Sequence, residues 1–283
     1  MSAMPQPAFA LPKLGLGTWR MGESRAQRSA EVAAVRHAIE LGYRMIDSAE
    51  MYGEGGAEEV VGEAVADALR AGDVRRDELT IVSKVYPHNA SRRGTVQACE
   101  RSCKRLRLDT IDLYLLHWRG EHALSDTVAG MQALVSQGRI RHWGVSNFDV
   151  DDMQELATVA SASHCAANQV WFSLGERGAE FGLLPWLRAR SMPMMAYSPI
   201  DQGRLSGRRG LAELAAPLGL TAAQLALAWV IAQPGVVAIP KAVKHEHLRD
   251  NWVAAQAVLG AETLPALDTL FPPPTRASGL AMN

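Results

Sequence analysis

Tyr43-Arg44-Met45-Ile46-Asp47-Ser48-Ala49-Glu50-Met51-Tyr52-Gly53 is the stretch on which the fold turns. A short apolar run ends in an acid, and a phenol follows five residues later. The same grammar recurs downstream. Leu79-Thr80-Ile81-Val82-Ser83 ends at Lys84, and Ile111-Asp112-Leu113-Tyr114-Leu115-Leu116 ends at His117. An acid, a phenol, an amine and an imidazole thus stand at equivalent places in successive strand-like segments. In a closed barrel of parallel strands, such positions point into one mouth. Together they are the equipment for proton transfer to a carbonyl oxygen.

The rest of the chain keeps the alternation. Strands are expected near Lys13–Gly17, Tyr43–Asp47, Thr80–Lys84, Ile111–His117, Ile140–Val145, Ala166–Val170, Met194–Tyr197 and Val236–Ile239. Helical stretches separate them: Ala26–Leu41, Ala57–Ala71, Thr95–Leu106, Thr127–Gln137, Val150–Ala160, Leu183–Arg190, Ala222–Ala232 and His245–Ala254. Leu264–Phe271 reads as a last helix, and Pro272-Pro273-Pro274 as its rigid exit. Repeated strand–helix units predict an α/β fold with a parallel sheet. A doubly wound sheet would carry a glycine fingerprint in its first turn, but Gly15-Leu16-Gly17-Thr18-Trp19-Arg20 lacks the third glycine. With 283 residues and no long linker, the expectation is one (β/α)8 TIM barrel domain over residues 1–283.

Composition narrows the partners. An apolar content of 48% supplies a core, and a formal net charge of −1 gives no reason to expect nucleic acid or an anionic membrane. Three cysteines, Cys99, Cys103 and Cys165, form neither a disulfide framework nor a zinc pattern, and Cys99 and Cys103 read as buried or half-buried helix positions. Met1 to Ala10 lacks the basic and apolar regions of a secretory leader. The expected setting is the cytoplasm, with the chain a monomer acting on a small molecule.

Tyr52 is the candidate general acid. A free phenol titrates near ~10, and an ammonium beside it, Lys84, is expected to lower that value. Asp47 would hold Lys84 by a salt bridge, and His117 could hydrogen-bond the substrate carbonyl. Ser146-Asn147 and Gln169 follow later strands, and carboxamides suit a nicotinamide carboxamide because each supplies donors and an acceptor. Tyr197 offers an aromatic face to a flat ring. The loops after the seventh and eighth strands, Ser198 to Arg204 and Pro240-Lys241, are where such barrels bind phosphate, with Lys241 supplying charge. His245-Glu246-His247 has the wrong spacing for a metalloprotease, Gly144-Val145-Ser146-Asn147-Phe148 lacks the last glycine of a nucleophile elbow, and no acidic cluster suggests a metal.

With these residues in place, the chain resembles the aldo-keto reductases, and within them bacterial members of the methylglyoxal-reductase type. The similarity runs from about Leu14 to Asn251. It is carried, in order, by Gly15-Leu16-Gly17-Thr18-Trp19, Asp47 to Gly53, Ser83-Lys84-Val85, Leu115-Leu116-His117-Trp118, Gly144 to Phe148, Asn168-Gln169-Val170, Ala196-Tyr197-Ser198-Pro199 and Ile239-Pro240-Lys241. The resemblance implies a barrel that binds NADPH, with NADH as a weaker alternative, and an NADP-linked oxidoreductase of the aldehyde-reductase kind. It makes Tyr52 the proton donor, tuned by Lys84 and Asp47, with His117 orienting the carbonyl. Ser146, Asn147 and Gln169 would hold the carboxamide, Tyr197 would stack on the ring, and Asn251 would meet the adenine. Further cofactor contacts are implied at Gly17, Thr18, Trp19, Asp47, Ser198, Ile200, Gln202, Lys241, Ala242 and His247. Trp19, Tyr86, His117 and Trp118 are the expected walls of the substrate pocket.

Two positions depart from the NADPH-specific pattern. Ala242 stands where many members have serine, and His247 where they have arginine. A mostly neutral histidine cannot form the bidentate fork, so the expected preference for NADPH is modest. The short tail after Asn251 suggests an open pocket taking small aldehydes and dicarbonyls. The competing reading is an NADPH-binding regulatory subunit with slow turnover; the absence of an amino-terminal extension for a partner favours the enzyme. A short-chain dehydrogenase would need Tyr-x-x-x-Lys, and neither Tyr52 nor Tyr86 has it.

Overall fold

The computed structural model describes residues 10–282. The leader expectation for Met1 to Ala10 falls almost wholly outside them. Eight strands form one parallel sheet in chain order: β1 (Leu16–Gly17), β2 (Met45–Asp47), β3 (Thr80–Val85), β4 (Ile111–Leu116), β5 (Ile140–Ser146), β6 (Cys165–Trp171), β7 (Met194–Tyr197) and β8 (Val236–Ala238). Bridges Leu14↔Ala238 and Gly17↔Lys241 join the first strand to the last, so the sheet closes into the expected (β/α)8 barrel. Gly17 is required at this seam, because a Cβ there would lie 2.8 Å from the Ile239 carbonyl oxygen.

The helices between the strands are α1 (Arg28–Leu41), α2 (Gly56–Ala71), α3 (Arg92–Leu106), α4 (Leu124–Ser136), α5 (Val150–Ala157), α6 (Leu183–Arg188), α7 (Arg209–Ala215) and α8 (Ala222–Ala232), with α9 (His245–Gln256) and α10 (Thr263–Leu270) after β8. Local chemistry starts several of them. The Ser91 hydroxyl accepts from the Gly94 amide ahead of α3, and Asp149/Asp152 and Thr221/Gln224 form reciprocal capping boxes at α5 and α8. The helix α7 was not expected from the sequence. At seven residues it is too short to show a helical period, and a 3-10 turn (Ala216–Leu218) separates it from α8.

Two apolar layers result. Alternate strand residues Met45, Val82, Leu113, Leu115, Met195 and Val237 fill the barrel interior, with Ala166 and Ala167 keeping it narrow. The other strand face packs against the helices in a larger layer that includes Leu16, Ile46, Ile81, Tyr114, Trp143 and Trp229. Cys99 and Cys103 are buried on α3 and Cys165 opens β6, all as free thiols. Among the described residues no single helix is long and apolar enough to cross a membrane.

Register then sets the site. Asp47 pairs with Val82, and Lys84 lies two residues further along β3, pairing with Leu115. The β5–β6 register shifts between Trp143 and Val145, which brings Ser146 level with Gln169.

Candidate active site

Lys84 is fully buried at the end of β3, and its ammonium has three partners. The Nζ lies 2.7 Å from Asp47 Oδ2, 2.8 Å from the Ser48 carbonyl oxygen and 3.3 Å from the Tyr52 hydroxyl. Burial works against this charge, but Asp47 and Tyr52 outweigh it and raise the lysine's pKa, so the ammonium persists at neutral pH. Tyr52 sits just past β2, where the chain turns into α2. Its ring meets the His117 ring edge-on, with centroids 5.6 Å apart.

Burial acts differently on the two groups that face the cavity. It raises the Tyr52 pKa above that of a free phenol; the Lys84 charge opposes this and the Asp47 charge adds to it. The expected lowering by Lys84 is therefore present, but burial exceeds it. His117 is held well below its usual value, first by burial and then by the Lys84 ammonium, so its imidazole is neutral. Its Nδ1 is buried with no hydrogen-bond partner among the described residues. An N–H there would be orphaned, so the neutral ring carries its proton on Nε2.

These groups open onto a cavity of about 870 Å³ at the mouth of the barrel. Asp47, Tyr52, His117, Trp19 and Trp118 line one part of it, and Ser146, Asn147, Gln169 and Tyr197 another. Gly17, Ser198, Ile200, Gln202, Lys241, His247 and Asn251 complete the set of sequence-derived residues on its wall. Four others stand off the wall. Lys84 lies behind Tyr52. Thr18 is buried, its hydroxyl donating to the Asp47 carbonyl at 2.9 Å, and Ala242 is buried beside Lys241. Tyr86 packs edge-on against Trp118, with ring centroids 5.7 Å apart, and is not among the residues that line the cavity.

The carboxamides are already ordered. Asn147, in the left-handed region with φ 59°, donates to the His117 carbonyl oxygen at 3.1 Å and accepts from the Tyr197 hydroxyl at 2.9 Å. Gln169 Nε2 donates to Asp47 Oδ1 at 2.8 Å. Beyond Tyr197 the wall is a loop in which Ser198, Asp201, Gln202 and Gly203 all have positive φ. Asp201 anchors it, accepting from Trp171 Nε1 at 3.1 Å and the Ser173 hydroxyl at 2.6 Å. Gly203, at φ 89°, has no described residue within 4 Å of where its Cβ would stand.

A barrel with this tetrad and this cavity matches a known family model over residues 13–271, that of the aldo/keto reductase family. The chain belongs to the aldo/keto reductase family. Among curated relatives it is 48% identical over 280 residues to methylglyoxal reductase YeaE of Escherichia coli (strain K12), covering 96% of this chain and 95% of that protein. It is 34% identical to glyoxal reductase of Bacillus subtilis (strain 168) over 260 residues, covering 92% and 89%. Among solved structures, an aldo/keto reductase from Klebsiella pneumoniae in complex with NADP and acetate superposes with a TM-score of 0.92 at 50% identity, covering 97% of this chain and 96% of that one.

Sequence reading missed several wall residues of this aldo/keto reductase. Arg20 follows Trp19, with its guanidinium 4.5 Å from the Trp19 ring centroid. Met51 precedes Tyr52, and Asp250 precedes Asn251. Thr221 and Gln224, legible as a capping pair, bring the amino end of α8 to the cavity. Met282 joins the lining too, so the tail beyond α10 reaches the mouth that its shortness suggested would be open.

Proposed function

We propose that the chain reduces aldehydes and dicarbonyls of the methylglyoxal kind to alcohols with NADPH, Tyr52 being the proton donor. The observation that carries this reading is the junction, on one cavity wall, of the Tyr52–Lys84–Asp47 chain with a set of carboxamide side chains. The residues present suit the dinucleotide. Ser146, Asn147 and Gln169 match a carboxamide, Tyr197 offers a ring face, and the bare space at Gly203 leaves the following loop room to lie against a bulky group. Lys241 and His247 supply cationic and donor groups at the other part of the cavity.

When bound, NADPH supplies a hydride to the carbonyl carbon. The chain's own residues handle the other half of the reaction. His117, neutral with its proton on Nε2, donates a hydrogen bond to the carbonyl oxygen and polarises it. Tyr52 transfers its hydroxyl proton to that oxygen as negative charge develops there. The resulting phenolate is stabilised by the Lys84 ammonium, which Asp47 holds in place. Trp19 and Trp118 present apolar surface that keeps water from the reacting centre. Arg20, Met51 and Met282 contribute to the same mouth.

The preference for NADPH over NADH is modest in this reading. Glu246 lies 3.6 Å from both Lys244 Nζ and His247 Nε2, and so offsets positive charge where a 2′-phosphate needs it. The protein is proposed to act as a cytoplasmic monomer, and its free, buried thiols suit a reducing compartment. The test is NADPH oxidation with methylglyoxal and with an aromatic aldehyde, wild type against Tyr52→Phe. Turnover in the wild type that is lost in the variant is the expected result. Tight NADPH binding with no turnover of any carbonyl would overturn the reading.

A further inference from the structure

Asp47 is gripped from two sides. Lys84 Nζ takes Oδ2 at 2.7 Å, and Gln169 Nε2 takes Oδ1 at 2.8 Å. Lys84 is fully buried, and Gln169 and Asp47 are 1% and 2% exposed. Gln169 lies on β6 and Asp47 on β2, so this contact spans the barrel mouth, with Met195 Sδ 4.0 Å from the same amide nitrogen. A carboxamide has one donor end and one acceptor end, whereas an ionised carboxylate only accepts. The end against Asp47 must therefore be N–H, and Oε1 is the end left for the cavity that Gln169 lines.

We propose that Gln169, besides facing the cofactor's carboxamide, is a positioning residue for proton transfer: it holds Asp47 toward Lys84 and so ties the nicotinamide seat to the Tyr52 hydroxyl. The inference rests on the reading of Tyr52 as proton donor. Its logic is electrostatic. The groups bearing on the phenol are Asp47 from β2, Lys84 from β3 and His117 after β4. The Asp47 charge makes Tyr52 a weaker acid, and the Lys84 charge a stronger one. The Gln169 N–H takes up part of the Asp47 charge. It also keeps that carboxylate from drawing Lys84 further off Tyr52, a contact that at 3.3 Å is already the longest of the three made by Nζ. Removing this donor should leave Tyr52 a weaker acid and a slower proton donor.

Gln169→Met keeps the length and loses both polar ends; Asn147→Ala disturbs the seat but not Asp47. NADPH dissociation constants, kcat–pH profiles and an alkaline absorbance titration of the cofactor-free protein separate the two roles, with Tyr52→Phe marking the Tyr52 component of the titration. Both variants should weaken NADPH several-fold. Only Gln169→Met should move the Tyr52 component and the alkaline limb of kcat upward, by about half a pH unit or more, as expected for one lost hydrogen bond to a charge. It should also lower kcat about ten-fold at saturating NADPH. A Gln169→Met that weakens NADPH and leaves both titrations in place overturns the inference.

If Gln169→Met does not fold, Gln169→Glu serves. Its carboxyl can donate to Asp47 only when protonated, so activity should survive only on the acid side of the profile, and a profile like the wild type's overturns the inference. Wild-type turnover in Tyr52→Phe overturns the donor reading itself and the inference with it. Loss of turnover there, with an unmoved titration in Gln169→Met, overturns the inference alone.

Discussion

The Tyr197 hydroxyl donates a 2.9 Å hydrogen bond to Asn147 Oδ1, joining the end of β7 to the turn after β5. One residue thus presents an aromatic face to the cavity and also orients the neighbouring carboxamide, whose nitrogen is directed to the His117 carbonyl oxygen. The two roles separate in Tyr197→Phe, which keeps the face. Losing about 1 kcal/mol of hydrogen bonding should weaken NADPH binding roughly five-fold while leaving the fold intact. Fluorescence titration checks this, and an unchanged dissociation constant would show that Asn147 orients itself.

Tyr52→Phe should lower carbonyl reduction by several orders of magnitude and leave NADPH binding near the wild type's. The ring remains, the 3.3 Å contact with Lys84 Nζ is lost, and the carboxamide seat is untouched. Steady-state rates and a cofactor titration on one preparation separate the two effects. Turnover close to the wild type's would sink the assignment of Tyr52.

Lys84→Met should be nearly inactive and less stable. It leaves the Asp47 carboxylate buried without its ion-pair partner, a loss on the order of 3–5 kcal/mol. Tyr52 loses the one charge that opposes its burial, so its pKa, already raised, should rise further and carry the alkaline limb of any residual rate with it. Denaturant unfolding and a pH–rate profile measure the two parts, and a stable, active variant with an unmoved profile would make Lys84 a structural residue only.

The wild-type pH dependence has a definite sign. In the proposed reaction the phenol must be protonated, and the Tyr52 pKa lies above the ordinary value of about 10, so the rate should hold through neutral pH and fall only well into the alkaline range. His117 titrates well below about 6.5 and should add no acid limb near that pH. Folding shows the other side of the same shift. As pH falls through about 6.5 the unfolded imidazole takes up a proton that the folded one refuses, so stability contributed above that pH is lost on the way down to the folded pKa. His117→Asn should flatten this acid loss in an unfolding series, and an identical acid loss in the variant would count against a buried neutral imidazole.

His247→Arg should strengthen NADPH binding by about 1–2 kcal/mol and leave NADH nearly unchanged. His247 lines the cavity and shares Glu246 with Lys244, each at 3.6 Å. An arginine could meet Glu246 and still direct a fork at a 2′-phosphate. Dissociation constants for both cofactors, in wild type and variant, decide this. Equal gains for NADPH and NADH would place the 2′-phosphate elsewhere.

The barrel and most of its site were legible in the chain itself. Apolar runs ending in Asp47, Lys84 and His117, separated by helical stretches, carry the strand–helix alternation, and equivalent strand ends in a parallel barrel must share a mouth. Tyr52, Asn147, Gln169 and Tyr197 could be named for the same reason, because chemistry and strand position coincide in them. What only the tertiary structure decided is what depends on distance and burial across strands far apart in sequence. Tyr86 reads like a wall residue, yet it packs against Trp118 and does not join the cavity lining. Arg20 and Met282 carry no periodic signal, and loop and tail paths bring them to the cavity, while α9 carries Asp250 there. The sign of the Tyr52 shift went against the expected lowering. A neighbouring lysine argues for a stronger acid, and only burial of the phenol in the folded barrel outweighs it. The Gln169–Asp47 contact joins β6 to β2 over 122 residues, and it follows from barrel closure and strand register, neither of which any local stretch of sequence encodes.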